Sequence, residues 1–124
     1  MQTCLIVDES NVIRKVAGRI LFQLSFTVEN AATGAEALEL AAVGDVPDLV
    51  IVASTLPDMP AEDVVRALRK RPGGKEAIIL ASLVEANLGT MTRLKRAGAT
   101  GFVFKPFDRD AMTRWISPYI SAAA

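Results

Sequence analysis

The side chains with chemical capacity sit at the ends of apolar runs. Asp8 and Glu9 follow Cys4 to Val7, Ser54, Thr55 and Asp58 follow Leu49 to Ala53, Ser82 closes another run, and Lys105 precedes Pro106. A hydroxyl becomes a useful nucleophile when a nearby base takes its proton, and the chain contains 0 histidines. A Ser-His-Asp triad and a zinc site are thereby excluded. Cys4 is the single cysteine, so an intramolecular disulfide is excluded, and its place in an apolar run marks it as a small core hydrophobe rather than a redox thiol.

These residues must be positioned by the elements between them. Apolar runs of strand length alternate with longer stretches of helical period, the pattern of βα units around a parallel sheet. The strands are read as Cys4 to Val7, Thr27 to Asn30, Leu49 to Ala53, Ala77 to Ser82 and Gly101 to Phe104. Their nearly continuous apolar character is that of strands covered on both faces. A first helix from about Ser10 to Leu24 turns Val12, Ile13, Val16, Ile20 and Leu24 to the sheet and Arg14, Lys15 and Arg19 to solvent. Thr33 and Glu36 form a capping box for a second helix that buries Ala37, Leu38 and Ala41. A third runs from about Ala61 to Lys70 and stops at Pro72-Gly73-Gly74, and a fourth from about Ala86 to Ala97 ends at Gly98. The last begins near Asp108 and lays Met112, Trp115 and Ile116 on the sheet, with Tyr119 at its edge and three fraying alanines at the terminus.

Length and composition agree. The 124 residues, 51% of them hydrophobic, are expected to form one domain, 1–124, with its own core and without an output domain beside it. Fourteen basic residues balance fourteen acidic ones, so no global field draws nucleic acid or anionic lipid. No run is long enough to span a bilayer, and the expected compartment is the cytoplasm. Five units with short connections form a doubly wound parallel sheet of order 2-1-3-4-5, the flavodoxin-like order. In it the loops carrying Asp8 and Glu9, Ala53 to Met59, and Lys105-Pro106 converge at the carboxyl ends of the strands.

The pieces Leu5-Ile6-Val7-Asp8-Glu9-Ser10, Pro47 to Val52, Leu56-Pro57-Asp58-Met59, Ala97-Gly98-Ala99 and Lys105-Pro106-Phe107 together resemble a receiver domain of two-component signalling, in particular a single-domain chemotaxis-type receiver. The resemblance implies that Asp8 and Glu9 match the acidic pair that binds Mg²⁺, and that Lys105 matches the lysine contacting the phosphoryl group. The same ungapped register sets Ala53 at the phosphoacceptor aspartate and Leu83 at the hydroxyl residue. Pro60 and Ala61 stand where the family usually has aspartate and glycine, and Phe102 falls at the switch aromatic. Receivers of this kind hold the bond before the proline cis, so a cis Lys105-Pro106 bond is expected.

A methyl group at residue 53 offers no oxygen to a phosphoryl donor and no ligand to a metal. Mg²⁺ at Asp8 and Glu9 is therefore expected to be weak or absent, and no other cofactor is implied. Without the metal, Lys105 becomes the counter-charge of the acids, and the extra methylene of Glu9 predicts a Glu9–Lys105 ion pair. Such a pair at ~4 Å gains roughly 4 kcal/mol at an effective dielectric of about 20, before desolvation brings the net towards zero. Asp58 is read as a solvated loop residue, and Ser82 as a substitute for the hydroxyl lost at Leu83 if a bulge shifts the strand. The basic clusters Arg66, Arg69, Lys70 and Arg71, and Arg93, Lys95 and Arg96, are read mainly as solvated helix faces. Arg93 and Arg96, with Phe102 and Pro106, also lie on the face through which the resemblance implies partner contact.

The expected function is a non-phosphorylatable receiver-like module, not an enzyme, that binds a partner independently of phosphorylation. That partner is a histidine kinase, a phosphotransfer protein, a motor component, another receiver or a second copy. Two alternatives are phosphoryl acceptance at Ser54, Thr55 or Asp58, and a structural dimerisation domain using the fourth and fifth helices.

Overall fold

The computed structural model describes residues 2–119. The elements are β1 (Gln2–Val7), α1 (Asn11–Gln23), β2 (Phe26–Ala31), α2 (Gly34–Ala41), β3 (Leu49–Ala53), α3 (Ala61–Arg69), β4 (Ile78–Leu83), α4 (Leu88–Ala97), β5 (Gly101–Phe104) and α5 (Arg109–Ile116). All four strand pairings are parallel and the sheet order is β2-β1-β3-β4-β5, as the alternating pattern predicts. The final alanines lie outside the described residues.

Strand alternation divides the core in two. Val50 and Val52 of β3 and Ile79, Ala81 and Leu83 of β4 pack with Ala37 of α2, Val64 and Leu68 of α3 and Leu94 of α4. Leu49, Ile51, Leu80 and Val103 pack on the other face with Ala17 and Leu21 of α1 and Met112 and Ile116 of α5. Four of the five helices start on a side-chain cap, and α3 starts on Pro60 without one. Ser10, Thr33, Asn87 and Asp108 accept from the amides of Ile13, Glu36, Thr90 and Ala111. Glu36 reaches back to the amide of Ala32 at 3.3 Å, one residue before the cap itself. At the end of α4, Gly98 takes a φ of 120° while its N–H donates to Leu94 and Lys95; this is the backbone region that glycine tolerates best.

Two expectations are corrected here. Val12 and Val16 are 68% and 41% exposed, and the face of α1 that reaches the sheet is Ala17, Ile20 and Leu21 with Leu24 beside it. The small side chain of Ala17 permits the close approach and so sets the rotation of the helix. Arg69 is no solvated face residue. Its guanidinium donates to the carbonyls of Gly74 (2.7 Å), Ala77 (2.6 Å) and Gly98 (2.9 and 2.7 Å) and to Thr100 Oγ1 (3.0 Å). It thereby ties the end of α3 to the segments that enter β4 and β5. Trp115 is half-buried and meets Phe104 and Phe107 edge-on, at centroid distances of 6.3 and 6.5 Å.

Candidate functional site

The register brings the candidate residues to one edge of the sheet. Val7 pairs with Val52, Ala53 with Ser82 and Leu83 with Phe104, so Asp8, Ala53, Leu83 and Lys105 stand at the carboxyl ends of four neighbouring strands. The ends are stitched by backbone bonds from Asp8 N–H to Ala31, from Ser54 N–H to Ser82 and from Lys105 N–H to Leu83. The Lys105-Pro106 bond is cis, as expected.

Asp8 is 3% exposed and both of its oxygens are engaged. Oδ1 accepts from the amide of Ser10 and Oδ2 from Lys105 Nζ, each at 2.9 Å. Its carbonyl accepts from Arg14 at 2.6 Å. The ion pair with Lys105 therefore belongs to Asp8 and not to Glu9, which is exposed and makes no ion pair with the described residues. Alternation is the physical reason. Asp8 continues the face of Cys4 and Ile6, over which the segment after β5 folds, whereas Glu9 turns outward.

Ala53 is buried at 2% exposure, so a methyl group occupies the middle of this edge. Beside it in register, Ser82 is buried in a regular pairing with no bulge. The strand is therefore not shifted to put Ser82 in the place of Leu83. Leu83 is itself core, packed on the α2, α3 and α4 side. Ser54 is half-buried and Thr55 exposed. Phe102 is half-buried against the same core face as Leu83, and Pro106 is exposed. On α4, Arg93 pairs with Glu62 of α3 at 3.6 Å, while Arg96 is exposed without an ion pair among the described residues.

Asp58 is a solvated loop residue, as read, but it is not without partners. Its two oxygens accept the amides of Gly34 and Ala35, each at 2.9 Å, and so fasten the loop after β3 to the start of α2. These amides hold the Asp58 carboxyl below its ordinary range, with Ala35 the larger contributor. Gly34 makes the contact feasible, because a Cβ there would lie 2.7 Å from Met59 Cγ and 2.9 Å from Val64 Cγ2. Sequence reasoning missed this clasp and the Arg69 clamp because both join residues far apart in the chain. Burial pushes the Cys4 thiol far above its ordinary value, in keeping with a core hydrophobe.

Both Asp8 oxygens accept a hydrogen bond, and no group of three His, Cys, Asp or Glu residues converges among the described residues.

A fold of five alternating βα units, with acids after β1 and a lysine after β5, defines a class of signalling module. The response regulator receiver domain family matches residues 4–117, and the chain belongs to it. It is 34% identical over 103 residues to the probable transcriptional regulator ycf27 of Cyanidium caldarium, an alignment covering 83% of this chain and 40% of that protein. It is 27% identical over 118 residues to the chemotaxis protein CheY of Halobacterium salinarum, covering 95% of this chain and 96% of the other. The structure of the chemotaxis response regulator CheY4 of Vibrio cholerae matches with a TM-score of 0.89 at 30% identity, over 97% of this chain and 99% of that one. The chain is thus a two-component receiver domain similar to the chemotaxis proteins, with their flavodoxin-like fold. Receiver domains are signalling modules that interact with histidine kinases and other signalling proteins. No helix among the described residues is long and apolar enough to cross a membrane.

Proposed function

We propose that this receiver does not accept a phosphoryl group and acts in the cytoplasm by binding a signalling partner independently of phosphorylation. The observation that carries the reading is the buried methyl of Ala53 at the centre of the strand-end site. Acceptance at residue 53 requires an oxygen lone pair to form a new O–P bond as the donor's bond breaks, and a methyl has none. Asp8 and Glu9 would hold Mg²⁺ weakly at best, since two carboxylates are left and the buried one is paired with Lys105. Lys105 then serves to neutralise Asp8 and fix the loop after β5. Of the substitute acceptors, Asp58 is occupied with two amides, and Ser54 and Thr55 have no histidine to activate them.

Without phosphoryl control, any shift between conformations must come from a partner's differential affinity for them. The partner is a histidine kinase, a phosphotransfer protein, a motor component or another receiver, including a second copy of this chain. Mixing the chain with a phosphohistidine-bearing kinase or phosphotransfer domain tests the reading. The expected result is equal affinity for the phosphorylated and unphosphorylated donor, with the donor losing its phosphoryl group at its unassisted rate. Stoichiometric capture of that group by this chain would overturn the proposal.

A further inference from the structure

Away from the strand ends, a groove of about 930 Å³ runs between α1 and β2. Its lining includes Arg14, Lys15 and Arg19 and not one acidic residue. Lys15 and Arg19 are exposed and make no hydrogen bond or ion pair with other described residues. The apolar part of the wall comes from Phe26 and Val28, and the exposed ring of Phe22, at 74%, forms one lip. Glu29, the acid of β2, alternates with Val28 and so lies on the opposite face of the sheet from α1.

Two further features point to what fills the groove. β2 is the outermost strand and no strand among the described residues pairs with its other side, which leaves the backbone donors and acceptors of Phe26, Val28 and Asn30 facing outward, of the kind that captures an extended segment. Gly18 sits in the middle of α1, where glycine weakens a helix relative to alanine. Packing does not demand it, since a Cβ there would meet Val28 Cγ1 at 3.8 Å and Ile6 Cδ1 at 3.9 Å, ordinary contact distances. A bare position on the groove wall lets another backbone approach closely.

We propose that the groove binds an extended acidic peptide segment of a partner protein, which adds to the open edge of β2 and sets its carboxylates against Arg14, Lys15 and Arg19. The occupant's backbone supplies the strand pairing, its alternate carboxylates all project to the α1 face and match the three cations, and the uncharged side chains between them project to the face of Glu29, where further carboxylates would be repelled. Because the groove lies apart from residue 53, its occupancy stands whether or not the chain accepts a phosphoryl group.

The test uses the whole chain and a fluorescent octapeptide of alternating glutamate and valine. Three control peptides accompany it: the glutamine analogue, oligoglutamate, and the same octapeptide N-methylated at alternate residues to block strand pairing. The acidic octapeptide should bind and slow amide exchange in 26–31, while each control binds at least tenfold more weakly. The double variant Lys15→Glu/Arg19→Glu should lose at least tenfold in affinity with its melting temperature little changed. Gly18→Leu should weaken binding, whereas Gly18→Ala should fold at least as stably as the parent and so guards against a folding artefact. Absence of binding, equal binding of the N-methylated peptide or of oligoglutamate, or binding that survives charge reversal would overturn the proposal.

Discussion

The two edges of the sheet each hold a cation that joins segments distant in sequence, and the two are held in different ways. At the carboxyl edge, Lys105 makes one contact with one charged oxygen of Asp8. At the amino edge, Arg69 makes five contacts with neutral oxygens from Gly74, Ala77, Gly98 and Thr100. An ammonium is a compact point charge, whereas a guanidinium is a flat fork with fixed directions. The carboxyl edge therefore depends on charge balance and the amino edge on geometry. An edge that depends on charge balance can carry a methyl group at residue 53 and still close. The amino edge has no such freedom, because three carbonyls lose their donor together if the fork is removed.

The largest effect is expected where geometry rules. Arg69→Ala should lower unfolding free energy by about 3–5 kcal/mol, since it strands several carbonyls, and Arg69→Lys should restore less than half of the loss. Chemical denaturation of the three proteins checks this. Full rescue by lysine would show that charge alone holds this edge and would erase the contrast.

At the carboxyl edge, Lys105→Met leaves the Asp8 carboxylate buried with the Ser10 backbone amide as the remaining donor to it, at a cost of about 2–3 kcal/mol. Adding Asp8→Asn should recover most of it, because the stranded charge disappears with its partner. A double-mutant cycle reads the coupling, and strict additivity would mean that the two groups do not interact.

The smallest effect belongs to Asp58, which is exposed but clasped to α2. Its carboxyl titrates below the ordinary range in the folded chain, so the clasp is fully present above the unfolded value and is lost as pH falls through the folded one. Asp58→Asn should thus be less stable than the parent at neutral pH, with the gap closing in acid. Melting temperatures measured across that range decide it, and a gap that widens in acid would contradict the assignment.

Much of the fold was legible because buried strands write themselves continuously. Leu49 to Ala53 and Gly101 to Phe104 match β3 and β5 to the residue, and Ser10, Thr33 and Asp108 stand at the helix starts read from them, whereas α4 begins two residues after the expected Ala86, on an Asn87 cap. The rotation of α1 was less legible, since Val12 and Val16 are as apolar as the residues that face the sheet, and packing against β1 decides between them. At the site, position was readable and pairing was not. Glu9 has the longer reach, but strand alternation gives Lys105 to Asp8. The partners of Asp58 lie 24 and 23 residues away, and Arg69 reaches Gly98 and Thr100 at 29 and 31 as well as Gly74 and Ala77 nearby, and no local period encodes such contacts.

Residue 53 itself offers the most direct measurement. The chain and its Ala53→Asp variant are incubated with an acyl phosphate and Mg²⁺, and the intact masses are compared. The parent is expected to keep its mass, and the variant, with a carboxylate restored beside Asp8 and Lys105, to gain one phosphoryl group. A stoichiometric adduct on the parent chain would contradict the account.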